Sequence, residues 1–158
     1  MQLLRDYIQH IEFIKTKIND WAKEAILQNQ ETILNILKDR QLSQGLGYSG
    51  DITLGKSNCY AKMTQDYWAK KSPIPRKPMI AGARYNMEWT GQFFDSLGIN
   101  VKKNEYDIFS STGKDTFLES IFGGGSLTKF REENNTWVNK NIIEPFIASK
   151  IQQELLKI

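Results

Sequence analysis

One cysteine, Cys59, and one histidine, His10, supply all the thiol and imidazole chemistry of this 158-residue chain. A lone cysteine excludes an internal disulfide and suits folding in a reducing compartment. Zinc sites draw on several such ligands together, so a structural zinc site is excluded too. Also missing is any apolar run near the roughly 18 residues that a membrane-spanning helix needs. Arg5, Glu12 and Lys15 interrupt the opening stretch, which leaves no apolar core for a secretory signal. Neither export nor membrane insertion is expected.

What is present fits one globular unit. Apolar residues at 40% and charged residues at 25% are ordinary for such a chain, and its length suffices to bury one core without staples. The formal net charge of +3 is unevenly spread. Between Lys56 and Arg84 the basic residues are Lys56, Lys62, Lys70, Lys71, Arg76, Lys77 and Arg84, and Asp66 is the lone acid. The middle of the chain is therefore its basic part, and the remainder is slightly acidic.

Periodicity sets the architecture. Leu4, Tyr7, Ile11, Ile14, Ile18, Trp21 and Ala25 alternate steps of three and four, the mark of an amphipathic helix. A second periodic stretch, Ile26, Ile33, Leu34 and Leu37, follows the polar patch Gln28, Asn29 and Gln30, which reads as a kink, an exposed turn or a solvated face. Helix is expected from about residue 2 to about residue 39. Gly45, Gly47 and Gly50 end that pattern, and Asp51 to Gly55 reads as a short strand between turns. Tyr60, Met63, Tyr67 and Trp68 regain helical spacing before Pro73, Pro75 and Pro78 impose an extended loop over residues 72–83.

Farther along, residues 85–97 suit a short helix or a turn followed by strand. Residues 98–102 and 105–110 read as two strands of a hairpin joined near Lys103 and Asn104. Gly123 to Gly125 read as a hinge or tight loop, and Ser126 as a cap on a first helical turn. Val138, Ile142, Phe146, Ile147, Ile151, Leu155 and Ile158 predict a closing helix in which Pro145 marks a start or a kink. The expected fold is a single α+β domain over residues 1–158. It comprises a helical arm at 1–40, a loop-rich region with a small antiparallel sheet at 41–125, and a helical region at 126–158. The apolar seam of the arm calls for a partner, so the arm need not be ordered before one is bound.

Chemistry is sparse. Gly50 to Ser57 fits the bare phosphate-loop pattern G-x-x-x-x-G-K-S, which would assign Lys56 and Ser57 to a phosphate. That motif works only between a buried strand and a helix, and the polar, glycine-broken residues 41–49 supply no such strand. His10 falls on the polar side of its helix and reads as solvated. The carboxylate pairs Glu88 with Asp95 and Asp115 with Glu119 read as surface acids, and Glu132 with Glu133 suit a helix start. No catalytic, cofactor or metal residues are therefore assigned. The most suggestive cluster is Lys62, Lys70, Lys71, Arg76 and Lys77 beside Tyr60, Tyr67 and Trp68, a mixture that can hold nucleic acid. An acidic neighbouring subunit would suit it equally, and the small net charge favours protein contact.

The order of segments carries a resemblance. Tyr60-Ala61-Lys62-Met63-Thr64 is followed by a lysine- and proline-rich link, then by residues 88–97 with Thr90-Gly91, Phe93 or Phe94, and Ser96, and then by the hairpin. This succession, over about residues 43–158, resembles the phage virion-morphogenesis and tail-completion proteins of the head-to-tail neck. The closing part, from Leu118 to Phe122 through the glycine loop to the final helix, looks like variants found in phages of gut Bacteroidetes. The chain lacks the family's late "pR-x-f" stretch, and Asn86 to Trp89 replace its usual "L-x-d".

The resemblance implies a non-catalytic virion protein made in the host bacterial cytoplasm. It would form a ring subunit among portal or connector and tail proteins, with packaged DNA as a further contact and no membrane. On that reading Trp89-Thr90-Gly91 is a packed turn in which Gly91 takes a backbone angle other residues resist. Gly91→Val should then abolish folding or assembly, and a stable, assembling variant would count against it. The alternative is a nucleic-acid-binding protein that uses the basic 56–84 segment, with steeply salt-dependent binding.

Overall fold

The computed structural model describes residues 2–70, 79–87, 91–102 and 105–157. Helix α1 (Gln2–Gln28) leads almost directly into α2 (Gln30–Arg40). The break falls at Asn29, whose side-chain amide donates to the Ala25 carbonyl at 2.8 Å and competes with the backbone ladder. The polar patch at residues 28–30 is thus a true interruption. A 3-10 turn (Leu42–Gln44) follows, then α3 (Lys62–Trp68), the short α4 (Gln92–Asp95), and strands β1 (Leu97–Val101) and β2 (Tyr106–Ser110). The chain ends through α5 (Lys114–Ile121), α6 (Glu132–Val138), a π turn (Asn139–Ile143) and α7 (Glu144–Leu155).

This is an α+β fold. The strands pair antiparallel with Leu97 opposite Ser110 and Val101 opposite Tyr106, so the expected hairpin is present; its expected tip, Lys103 and Asn104, lies outside the described residues. Glu132 and Glu133 occupy the first turn of α6, where the helix dipole favours negative charge. Pro145 stands in the first turn of α7, directly after the π turn. A proline lacks an amide and crowds the carbonyl four residues back, and the wider turn ahead of it relieves that conflict within one continuous helical rod.

Two apolar clusters meet in the interior. The larger gathers Leu37, Leu42, Ile52, Phe93, Phe94 and Leu127 with other buried side chains, and the smaller holds Ile26, Ile33, Val138 and Ile142. Ile99, Tyr106 and Phe130 pack against both and join them. Because Ile26 sits with Val138 and Ile142 while His10 meets Glu154, α6 and α7 run antiparallel to α1. Ile14, Trp21 and Ala25 of the α1 stripe are buried, but Leu4, Tyr7 and Ile8 remain exposed.

Two expectations are corrected, and one pair of alternatives is resolved. Asp51 to Gly55 is not a strand: it makes only single bridges, Leu46 with Asp51, Thr53 with Gly123 and Leu54 with Ser57. Of the two readings of Gly123 to Gly125, the tight loop holds and the hinge does not, because they lie pressed against residues 47–53. A Cβ on Gly124 would stand 2.6 Å from the Asp51 carbonyl oxygen, one on Gly47 would stand 2.3 Å from the Gly124 oxygen, and Gly124 has φ +104. The glycines serve close backbone approach rather than motion. Ser126 caps no helix: its hydroxyl donates to the Glu119 carboxylate at 2.9 Å, and the next helix begins at Glu132.

Candidate functional site

The phosphate-loop pattern can be judged by its surroundings. Residues 50–57 form a bridged turn in which the Leu54 amide donates to the Ser57 carbonyl at 2.8 Å. No helix opens until Lys62, so the amide-lined cradle of a phosphate loop is not built there. Arg84, at the end of the basic stretch, is held by Asp51 at 3.2 Å, and Asp51 also accepts from Asn58 at 3.0 Å.

Of the contact residues inferred from the sequence, Lys62 opens α3 and Lys70 follows it, both exposed. Neither makes an ion pair with another described residue. Met63, 82% exposed, and Tyr67, 51% exposed, lie on the same helix, so this short segment offers cations beside apolar surface. Lys71, Arg76 and Lys77 lie outside the described residues, as do Trp89 and Thr90. Gly91 is buried at the start of α4 with φ +75, in the left-handed region that glycine tolerates. Its carbonyl accepts from the Asp95 amide at 2.8 Å. Ser96 then donates to the Phe93 carbonyl at 2.7 Å and shares a 2.8 Å hydrogen bond with Ser110, which pins α4 to β2.

His10 is not a solvated histidine. It is half-buried, with Nε2 3.0 Å from the Glu154 carbonyl oxygen and 3.9 Å from its carboxylate. Glu119 is more than a surface acid, since it accepts from the Ser126 hydroxyl and from the Leu127 amide at 2.6 Å. No group of three or more potential metal ligands gathers among the described residues, and none of their helices is long and apolar enough to cross a membrane.

Two features escaped sequence reasoning. The first is Gln41, fully buried just after α2. Its Nε2 donates to the Lys129 carbonyl at 2.8 Å, and its Oε1 accepts from the Arg131 amide at 2.9 Å and the Asn134 side chain at 3.3 Å. A glutamine in a polar stretch gives no sign of this.

The second is a groove of about 900 Å³ between α1, β2, residues 128–130 and α6 with its π turn. Ile26, Phe130 and Ile143 give it apolar walls, and Tyr106, Asp107 and Ile108 border it. Burial pushes the Tyr106 phenol up to about 12, and its hydroxyl has no hydrogen-bond partner among the described residues. Lys102, at the hairpin's end, is raised above the usual lysine value by its hydrogen bond to Asp107 and by the same carboxylate's charge. With this geometry in view, comparisons with protein-family models, curated proteins and solved structures return no match to the chain.

Proposed function

We propose that the chain is a structural subunit of a phage head-to-tail neck or tail-completion ring, in contact with portal or connector and tail proteins. The observation that carries this reading is the order of segments. A Tyr60-to-Thr64 stretch precedes Gly91 and Ser96, a hairpin follows, and a helical rod closes the chain. The roles of Gly91 and Ser96 add support: one supplies a left-handed turn and the other ties that turn to β2, so both residues of the resemblance have structural work to do. A ring needs two unlike faces that meet head to tail. The exposed Leu4, Tyr7 and Ile8 on α1 and the Met63 and Tyr67 side of α3 are two unlike apolar surfaces.

Purified source particles test the reading. Peptides of this protein, quantified by mass spectrometry against portal and major capsid subunits, should appear near portal abundance. Capsid-level abundance would instead indicate a shell role, and absence from the particle would sink the virion reading. The nucleic-acid alternative draws on the exposed, unpaired Lys62 and Lys70. It would gain from DNA binding that weakens steeply with salt and is lost when both are changed to Ala.

A further inference from the structure

We infer that α1 up to Glu24 and α7 form an arm that bends as one piece where two helical rods are interrupted side by side, and that this bend opens and closes the groove over the hairpin. One rod is α1 with α2, and the other is α6 with the π turn and α7. They run antiparallel. Arg40 lies over the Trp137 ring at 4.5 Å at one end, Ile33 and Ile26 pack with Val138 and Ile142 in the middle, and Lys150 reaches Glu24 at 2.9 Å beyond. Asn29, between Ile26 and Ile33, is therefore level with the π turn.

Both rods have a weakened main-chain ladder at that level. The Asn29 side-chain amide takes the Ala25 carbonyl, and the Asn141 side-chain amide takes the Trp137 carbonyl, each at 2.8 Å. The Glu144 amide reaches back five residues to the Asn139 carbonyl, and Pro145 has no amide to give. Helices bend at such points, because elsewhere a bend must stretch intact main-chain hydrogen bonds. A single interruption would be braced by an unbroken neighbour, whereas two at one level form a joint.

The arm is separate enough to use that joint. Among the described residues, no side chain of residues 4–25 or 144–155 belongs to either interior cluster, whereas Ile33 and Leu37 beyond the joint do. The polar ties of the arm, Lys150 to Glu24 and His10 to Glu154, join its own two helices. The groove lies between arm and body, with Asn19, Ala22 and Lys23 on one side and Lys102, Glu105 and Asp107 on the other. On the body side Glu105, Asp107 and Glu132 outnumber Lys102 and Lys129, and Lys23 is the one charged lining residue from the arm. Lys23 is exposed and makes no ion pair among the described residues. A swing toward the hairpin brings these opposite charges together. It also narrows the gap that Asn19 on the arm, and Asn135 and Asn139 across from it, face without a side-chain partner among the described residues. The inference does not rest on the neck reading, and absence from the particle would leave it untouched.

Pulsed electron-spin distance measurements on the full chain test it, with nitroxides on introduced cysteines in a Cys59→Ser background. Gln9 lies about 20 residues before the joint, about 30 Å along a helix, so a bend of about 20° carries it about 10 Å. Labels at the exposed positions Gln9→Cys and Ser111→Cys should therefore give distances spread over about 10 Å. Labels at Gln9→Cys and Gln153→Cys, both within the arm, should give one sharp distance. Asn29→Ala, Asn141→Ala and Pro145→Ala together restore the ladder and should at least halve the first spread, with circular dichroism reporting that the variant is folded. Pro145→Ala alone, at an exposed position, should narrow it part of the way, so the test does not depend on the triple variant. Lys23→Glu sets like charges across the groove and should move the first distribution to longer distances. A sharp Gln9-to-Ser111 distance in the parent overturns the proposal, as does an arm pair as broad as the first. So does a spread that survives the restored ladder, or no lengthening in Lys23→Glu.

Discussion

The glycine-crossed body of the molecule and its layer of terminal helices are held by contacts of different kinds. In the body, residues 45–53 and 123–126 meet backbone to backbone. The Ser49 amide donates to Gly124 at 2.9 Å and the Gly123 amide to Thr53 at 2.7 Å, and the side chain of Gln41 clamps residues 129–134. Such contacts have one solution. The layer of α1 against α7 rests on an apolar stripe, with Lys150 to Glu24 at 2.9 Å and His10 to Glu154 as its polar ties. An apolar stripe tolerates small slips that a backbone crossing does not. The body should therefore unfold as a unit, and the helical layer should be where the molecule adjusts to a neighbour.

Substitutions can break that contrast. The largest loss is expected from Gly124→Val, which adds overpacking to a disfavoured backbone angle. A cost of about 3–5 kcal/mol in denaturant unfolding should leave little folded protein, whereas a well-folded variant would mean the crossing can give way. Next comes Gln41→Leu, which keeps the volume but strands the Arg131 amide and the Lys129 carbonyl. Urea titration should show a loss of about 2–4 kcal/mol. Lys150→Ala removes a half-exposed tie of the helical layer, and the melting curve should reveal no more than about 1 kcal/mol. If Lys150→Ala matched Gln41→Leu, the two regions would not differ as described.

The smallest effect is expected at their junction. Tyr106→Phe deletes an unpartnered buried hydroxyl, so it should be neutral or stabilising by up to about 1 kcal/mol at pH 7. Because burial raises the folded-state phenol from 10.0 to about 12, the neutral form's contribution is complete below pH 10 and is lost as pH climbs toward 12. Melting temperatures of the two proteins should therefore diverge only in that alkaline window, with the parent falling faster.

Elements defined by their own periodicity were legible in the sequence. The stripe through Ile14, Trp21 and Ala25, the interruption near Asn29, the hairpin and the helix after Tyr60 all follow from spacing and local residue chemistry. What was illegible depended on partners far along the chain. Asp51 to Gly55 looks like a strand because Ile52 and Leu54 alternate, yet Thr53 finds a bridge only at Gly123. Three glycines in a row suggest freedom when nothing is known to press on them, and only the fold supplies Ser49 and Asp51 as neighbours. His10 looks solvated until α7 returns beside it. For the candidate site, periodicity located the strand that borders the groove, but neither the groove nor the amides across it. Those come from α1 and α6, which pattern alone cannot bring together.

The His10 to Glu154 contact joins residues 144 positions apart. Its consequence is one of timing. On a ribosome adding roughly 10 residues per second, α1 emerges more than about 10 s before the helix that covers its stripe. During that interval Ile14 and Trp21 face water or whatever else is at hand. The body, whose crossing segments lie closer in sequence, can assemble while α1 waits, so α1 is made before the body and finds its place after it.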